Sequence, residues 1–380
     1  MSVWAEIVGQ QQQVEPLVAA AADPASMTHA WLLTGPPGSG RSSAARAFAA
    51  ALLCDTQGCG TCHACVTALA GTHADVTVVA TEKVTISIDE VRDLVGLSQR
   101  SPSSGKWRII IIEDADRMTE RTSNVLLKAI EEPPPRTAWV LCAPSAQDVA
   151  VTIRSRTRTI SLRVPPADVV ADLLVSRDGI QPSVALEAAY AAQSHIGVAR
   201  RLARDPKARA RRDQVLALAT EVRGVGDAIL AAADLVAVAE EDADAATTER
   251  DAAERTELLR TLGADDSGRL PPALRAQVRQ LEEDQKRRAT RAKRDVLDRA
   301  ILDLMSLYRD VAAVQLGAYP GIGLVNMAHE RHVQDLASRT SVAHAMHCLD
   351  ALALARERLA ANVQPLLALE AMILALRPRQ

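Results

Sequence analysis

Aromatic side chains are scarce in this sequence: one phenylalanine, three tyrosines and four tryptophans make up 2% of 380 residues. A surface that stacks successive nucleic-acid bases needs a supply of such rings. Little is available for that here, and the core must be aliphatic. An excess of charge of one sign is also missing. The formal net charge is −3, so no global field draws a polyanion, and any contact with nucleic acid must come from a local patch. No window reaches about eighteen uninterrupted apolar residues, and no basic segment followed by an apolar run opens the sequence. Neither a membrane span nor secretion is expected, and a cytoplasmic location is. What remains is ordinary: 48% hydrophobic and 24% charged residues are the proportions of a globular chain long enough for two or three domains.

Short apolar runs at Ala30 to Thr34, Val76 to Val79, Arg108 to Ile112, Ala138 to Ala143 and Thr159 to Leu162 predict strands, most of them followed by helical periodicity. That alternation predicts an α/β fold whose parallel sheet is covered on both faces. The capping pattern Ser87, Ile88, Asp89, Glu90 opens one of the helices. After Val164, Pro165 and Pro166, alanine and leucine at three- and four-residue spacing replace the β-rich runs, and the rest reads as all helical. A break at Arg204 to Lys207 separates a small helical unit from a larger one, and Gly263 to Pro272 reads as a loop inside the latter. There is no internal repeat.

The stretch TGPPGSGRSS, Thr34 to Ser43, has the spacing of a phosphate-cradling loop. Gly35, Pro36, Pro37, Gly38, Ser39 and Gly40 would turn backbone N–H groups inward, the following helix adds its positive end, and Ser42 and Ser43 carry hydroxyls, that of Ser42 suited to magnesium. A preceding strand and a following helix favour this reading over a purely structural glycine turn. The lysine position is Arg41. Arginine is longer, planar and forked, so the exchange is not conservative at a tight site. A second part follows in RIIIIEDADRM, Arg108 to Met118, a strand too apolar for an edge that ends in Glu113 and Asp114. Working ATPases of this class place aspartate before glutamate. The swap displaces each carboxylate by about one C–C bond, and an error near 1 Å costs on the order of a hundredfold in rate. The plain alternative is that these acids only end a strand.

Cys54, Cys59, Cys62 and Cys65 form a C-x4-C-x2-C-x2-C pattern with Gly58 and Gly60 at the turns. In a reducing compartment disulfides are disfavoured, and an iron–sulfur run would show a further cysteine followed by proline. Tetrahedral structural zinc fits best, with an iron–sulfur site or free thiols as the alternatives and His63 as a substitute ligand. Cys142 and Cys348 are isolated and read as core residues. Arg154, Arg156 and Arg158 alternate, which by itself reads as the wet face of a strand entry.

EIVGQ at Glu6 to Gln10, HAWLLTGPPGSGRSS, IIIIEDADRM, LLKAIEEPPP at Leu126 to Pro135 and TIRSRT at Thr152 to Thr157 resemble, in order and spacing, the AAA+ subunits of bacterial sliding-clamp loaders. The degraded motor motifs resemble the delta-prime branch of that family, and Ala143-Pro144 departs from active relatives, which place a polar γ-phosphate sensor there. The resemblance implies an AAA+ P-loop parallel-sheet domain with a zinc module over 1–165, a small helical lid over 166–207 and an all-helical collar for oligomerisation over 208–380. It implies little or no ATP hydrolysis, with ATP or ADP and magnesium bound weakly or not at all. Arg156, in Ser155-Arg156-Thr157 where the family has Ser-Arg-Cys, would be an arginine finger entering the site of an adjacent motor subunit, and Arg200 would be a second sensor at the nucleotide, the equal alternative being a solvated basic helix end made with Arg201, Arg204 and Lys207. The implied partners are the gamma/tau motor and delta subunits, the beta sliding clamp and primed DNA. The rival expectation is an active clamp-loader motor or related DNA-dependent AAA+ ATPase. A free-standing metabolic P-loop enzyme is the third, though no substrate-binding constellation supports it.

The remaining chain is architecture. Glu240 to Glu254 is acidic, alanine-rich and helix-prone. Six bases lie between Lys286 and Arg294, but Glu282, Glu283 and Asp284 each precede a base by four residues, so intrahelical pairs are expected to absorb part of a charge that otherwise suggests DNA contact. Val296, Leu297, Ala300, Ile301, Leu304, Met305, Tyr308 and Val311 make a helical stripe that needs a partner.

Overall fold

A computed structural model describes residues 2–81, 85–103, 106–222, 224–261 and 272–377. The chain divides into two compact units, Met1–Arg204 and Asp205–Gln380. In the first, β1 Ala30–Thr34, β2 Val76–Val79, β3 Arg108–Ile112, β4 Thr137–Ala143 and β5 Arg158–Ser161 form one parallel sheet in the order β2-β3-β4-β1-β5. Two strands start one residue earlier than apolarity alone predicts. Thr137 is in register with Arg108, and Arg158 with Trp31, over whose ring its guanidinium sits 5.1 Å from the centroid.

The central position of β3 follows from its isoleucines. Ile109 and Ile111 join Trp31, Leu33 and Phe48 on one face of the sheet, while Ile110 and Ile112 join Leu32, Trp139 and Leu141 on the other. Alternate side chains of a strand point to opposite faces, so a run of four apolar residues is what burial on both sides requires. The helix after β1, Arg41–Leu53, buries nine residues, six of them alanine. Small side chains let it lie close on the sheet, and Phe48 fills the remaining space edge-on to Trp31 at 5.3 Å and 72°. The helix Ile88–Ser98 opens with the reciprocal Ser87–Glu90 capping box. Three short helices, Ala167–Asp178, Pro182–Ala191 and Ile196–Arg204, complete this unit.

The second unit is helical. The stripe on Pro272–Gln315 buries Leu297, Ile301, Leu304, Tyr308 and Val311 in a core shared with Val342–Ala360 and Pro365–Leu376. A polar island is enclosed as well: Asp310, fully buried, accepts bonds from the backbone N–H groups of Val325 (3.1 Å) and Asn326 (2.8 Å), from Asn326 Nδ2 and from Arg309. The acidic segment lies on the helix Val225–Thr261, which pairs with Pro272–Gln315. Glu282 accepts from Arg255, Arg288 donates to Asp251 and Glu254, and Lys293 to Glu240. These pairs run between helices, so the acidic segment takes up part of the charge of the basic one, while Arg291 Nε lies 3.8 Å from Asp295 on its own helix. Apart from Pro272, which opens a helix, the expected loop Gly263 to Pro272 lies outside the described residues. No helix among the described residues is long and apolar enough to cross a membrane.

Candidate functional site

The glycine-rich loop joins β1 to the helix Arg41–Leu53 at the carboxyl ends of the strands. Pro36 and Pro37 are exposed, whereas Ser39 is buried, and its hydroxyl has no partner. The loop is tied down elsewhere: Gln10 donates from Nε2 to the Ser39 carbonyl at 2.7 Å and accepts from the Arg163 N–H at 2.7 Å. An orphaned hydroxyl in a loop of this shape fits a phosphate cradle, because a buried donor without a partner is costly unless a ligand supplies one. A built-in Cβ at Gly38 would come within 3.1 Å of His195 Cα. His195 immediately precedes the helix Ile196–Arg204, its Nδ1 3.4 Å from the Val198 N–H; its place before a helix reads as structural from sequence, whereas its seating on the loop does not show there.

The charged groups of the site are engaged with the chain itself. Arg41 Nη1 donates to the Gly35 carbonyl, folding the side chain back over its own loop. Glu113 accepts from Arg46 Nη2 at 3.0 Å and Nε at 3.3 Å. Asp114 accepts from the Thr81 N–H at 3.1 Å and has Arg117 Nε 4.0 Å away. Nearby, burial raises the Asp116 carboxyl above its ordinary range, reinforced by Asp114 and opposed by its own backbone N–H and by Arg117 and Arg41. Cys142, on β4, is a core residue whose thiol is pushed up to about 12 by burial and then by Glu113. Ser42 and Ser43 open the helix, with Ser43 exposed. Sequence reasoning missed Arg46, although it is the one base in an otherwise apolar helix interior and in that sense was visible.

Arg200 Nε donates to Asp178 at 2.7 Å, and Arg204 shares that buried carboxylate at 2.8 Å. Arg156 stands in the turn between the helix Val151–Arg154 and β5. Arg154, Arg156 and Arg158 therefore lie on a helix end, a turn and a strand, and do not share one strand face as their alternation alone would allow. Arg156 Nε donates to Glu131, and Nη1 to the Thr152 carbonyl at 2.8 Å.

The four cysteines converge, with all Sγ atoms within 4.8 Å of one another. N–H groups of Cys59, Cys62 and Cys65 point at the sulfurs of Cys54, Cys59 and Cys62, at 3.4, 3.3 and 3.4 Å. Hydrogen bonds from Thr61 and then Cys62 bring the Cys59 thiol down to about 5. At Cys54 burial opposes ionisation, but the Thr56 hydroxyl and neighbouring N–H groups outweigh it and leave the thiol at about 7. Burial, and then the adjacent sulfurs, drive Cys65 the other way. Crowded sulfurs of which some ionise and one resists are what a soft divalent cation relieves. The cluster can hold a metal ion.

A parallel sheet with a glycine-rich loop after β1 and acids at the end of β3 is the layout of a P-loop domain. Residues 9–166 match the family described as DNA polymerase III, delta subunit, a stretch shorter than half of the chain. It is 32% identical over 192 residues to the DNA polymerase III subunit delta' of Pseudomonas aeruginosa, covering 49% of this chain and 54% of that protein. It is 33% identical over 177 residues to the subunit gamma/tau of Mycobacterium tuberculosis strain H37Rv, covering 45% and 30%. The chain thus spans about half or less of the curated relatives it matches. Among solved structures, a gamma subunit-related protein of Thermotoga maritima aligns over 96% of this chain and 98% of its own, at 16% identity and a TM-score of 0.43.

Proposed function

We propose that the chain is a stator of the DNA polymerase III clamp loader: a subunit that hydrolyses ATP weakly or not at all, assembles with gamma/tau motor and delta subunits, and supplies Arg156 to a neighbouring nucleotide site while the beta clamp is loaded on primed DNA. In this reading residues 166–207 are a lid, and 208–380 a collar. The observation that carries it is the engagement of Arg41 with the Gly35 carbonyl and of Glu113 with Arg46. The two groups that a working site would turn toward terminal phosphates and magnesium are bonded to the chain instead. Catalysis of phosphoryl transfer is almost entirely positioning and charge stabilisation, so a carboxylate paired with arginine and a phosphate-binding position filled by a longer side chain leave little of either. Gly35, Pro36, Pro37, Gly38, Ser39, Gly40, Arg41, Ser42 and Ser43, with Glu113, Asp114 and Arg200, would still cradle ATP or ADP with magnesium, weakly at best. Cys54, Cys59, Cys62 and Cys65 hold one zinc ion, a structural one, since four thiolates leave no position for water.

Steady-state phosphate release by the purified chain should stay near background. Turnover at motor rates that vanishes in Ser42→Ala would instead establish the rival reading, an active motor, which draws on the 33% identity to gamma/tau.

A further inference from the structure

Glu131 ends the helix Glu120–Glu131, and Arg156 follows the helix Val151–Arg154 by two residues. Ile130 and Ile153, both wholly buried, belong to the same core cluster. They fix the backbone beside Glu131 and three residues before Arg156, whose own N–H donates to the Ile153 carbonyl at 3.0 Å. Core packing therefore brings two surface positions together that are far apart in sequence and leaves only their side chains to be ordered. An arginine loses much rotamer freedom when it is held. Here Nε donates to Glu131 Oε1, and Nη1 donates to the Thr152 carbonyl at 2.8 Å and the Ser155 hydroxyl at 3.2 Å. Nη2 has no bond among the described residues.

We propose that Glu131 is a positioning residue for Arg156: it holds the guanidinium by Nε, so that Nη2 is presented already ordered to an anionic oxygen, that of a phosphoryl group in a nucleoside triphosphate held by an adjacent subunit. This inference rests on Arg156 acting in trans. The alternative role for such a carboxylate is a lock that neutralises the finger until it is displaced. The exposure of the pair decides against a lock. The side chains are 37% and 44% exposed, and pairs that wet are weak and screened by salt. Such a pair cannot hold an arginine away from a triphosphate, yet it suffices to select one rotamer. Nor must the contact break, because the nitrogen needed by the phosphate is not the one that Glu131 takes.

The test uses the loader reconstituted with motor and delta subunits, with assembly checked by gel filtration. Glu131→Ala should lower kcat for ATP about two- to tenfold, the ordering cost of one rotamer-rich side chain, with KM for ATP unchanged. Glu131→Gln, which keeps an acceptor at the same place, should restore most of the rate, and adding Glu131→Ala to Arg156→Ala should cost nothing further. An unchanged or increased kcat in Glu131→Ala, or a Glu131→Gln variant as impaired as the alanine, overturns the inference. An Arg156→Ala loader with full activity would overturn the stator reading beneath it, and is thereby distinguished from failure of the positioning role alone.

Discussion

Gly38→Ala, measured against Gly40→Ala, isolates the close approach of His195 to the phosphate loop. Both glycines have positive φ, +87° and +83°, and nothing lies within 4 Å of a Cβ at Gly40. The Gly40 variant therefore bears only the left-handed conformation, about 1–2 kcal/mol. At Gly38 the added methyl would meet His195 Cα at 3.1 Å and Cβ at 3.2 Å. These atoms cannot swing aside: Gln193 and Ser194 are themselves at φ 49° and 65°, and the His195 N–H is bonded to Ala192 at 3.0 Å. Overpacking against such a neighbour adds about 1–3 kcal/mol. All four tryptophans, Trp4, Trp31, Trp107 and Trp139, lie in the first unit, so urea unfolding followed by tryptophan fluorescence reads that unit without the helical one. The expected result is a Gly38→Ala variant less stable than Gly40→Ala by about 1–3 kcal/mol, or several degrees in Tm for a unit of this size. Equal stability of the two would refute the seating of His195 on the loop.

Three further outcomes are expected. Metal analysis should find one zinc per chain, and chelation or Cys59→Ser should release it and lower the tryptophan-detected transition; a metal-free protein of undiminished stability would remove the assignment. Burial and the neighbouring His329 lower the His332 pKa from 6.5, against Asp335 and Glu221, so below pH 6.5 the unfolded chain binds the extra proton first and stability falls as pH drops through that window. His332→Gln should flatten that dependence, and an unaltered pH profile of helix unfolding would count against it. Asp310→Ala strips the enclosed polar island of its shared acceptor and should cost about 3 kcal/mol in the second unit; a loss under about 1 kcal/mol would mean water replaces the carboxylate.

The sheet was legible because its signals are local. Ile109 to Ile112 announce a strand buried on both faces, and Ser87 with Glu90 announces a helix start, without reference to distant residues. The phosphate loop and the cysteine cluster were legible for the same reason, since each closes within a dozen residues or so. What sequence could not show depends on which surfaces meet. Arg46 finds Glu113, and Arg156 finds Glu131, only because packed elements bring them together. The basic stretch near Lys286 shows what spacing along one helix leaves out: Glu282 and Arg288 also reach across to Arg255, Asp251 and Glu254. The i,i+4 rule still operates there, in Arg291 with Asp295, but the alignment with an opposing helix of opposite charge is tertiary.

The central claim is that a chain whose own loop is chemically idle acts through a guanidinium offered to another subunit. Its most direct test is a structure of the chain assembled with ATP-analogue-loaded motor and delta subunits. The account predicts Arg156 Nη2 within about 3 Å of a phosphate oxygen at the adjacent site, with Glu131 still on Nε; Arg156 remote from every triphosphate in that assembly would contradict it.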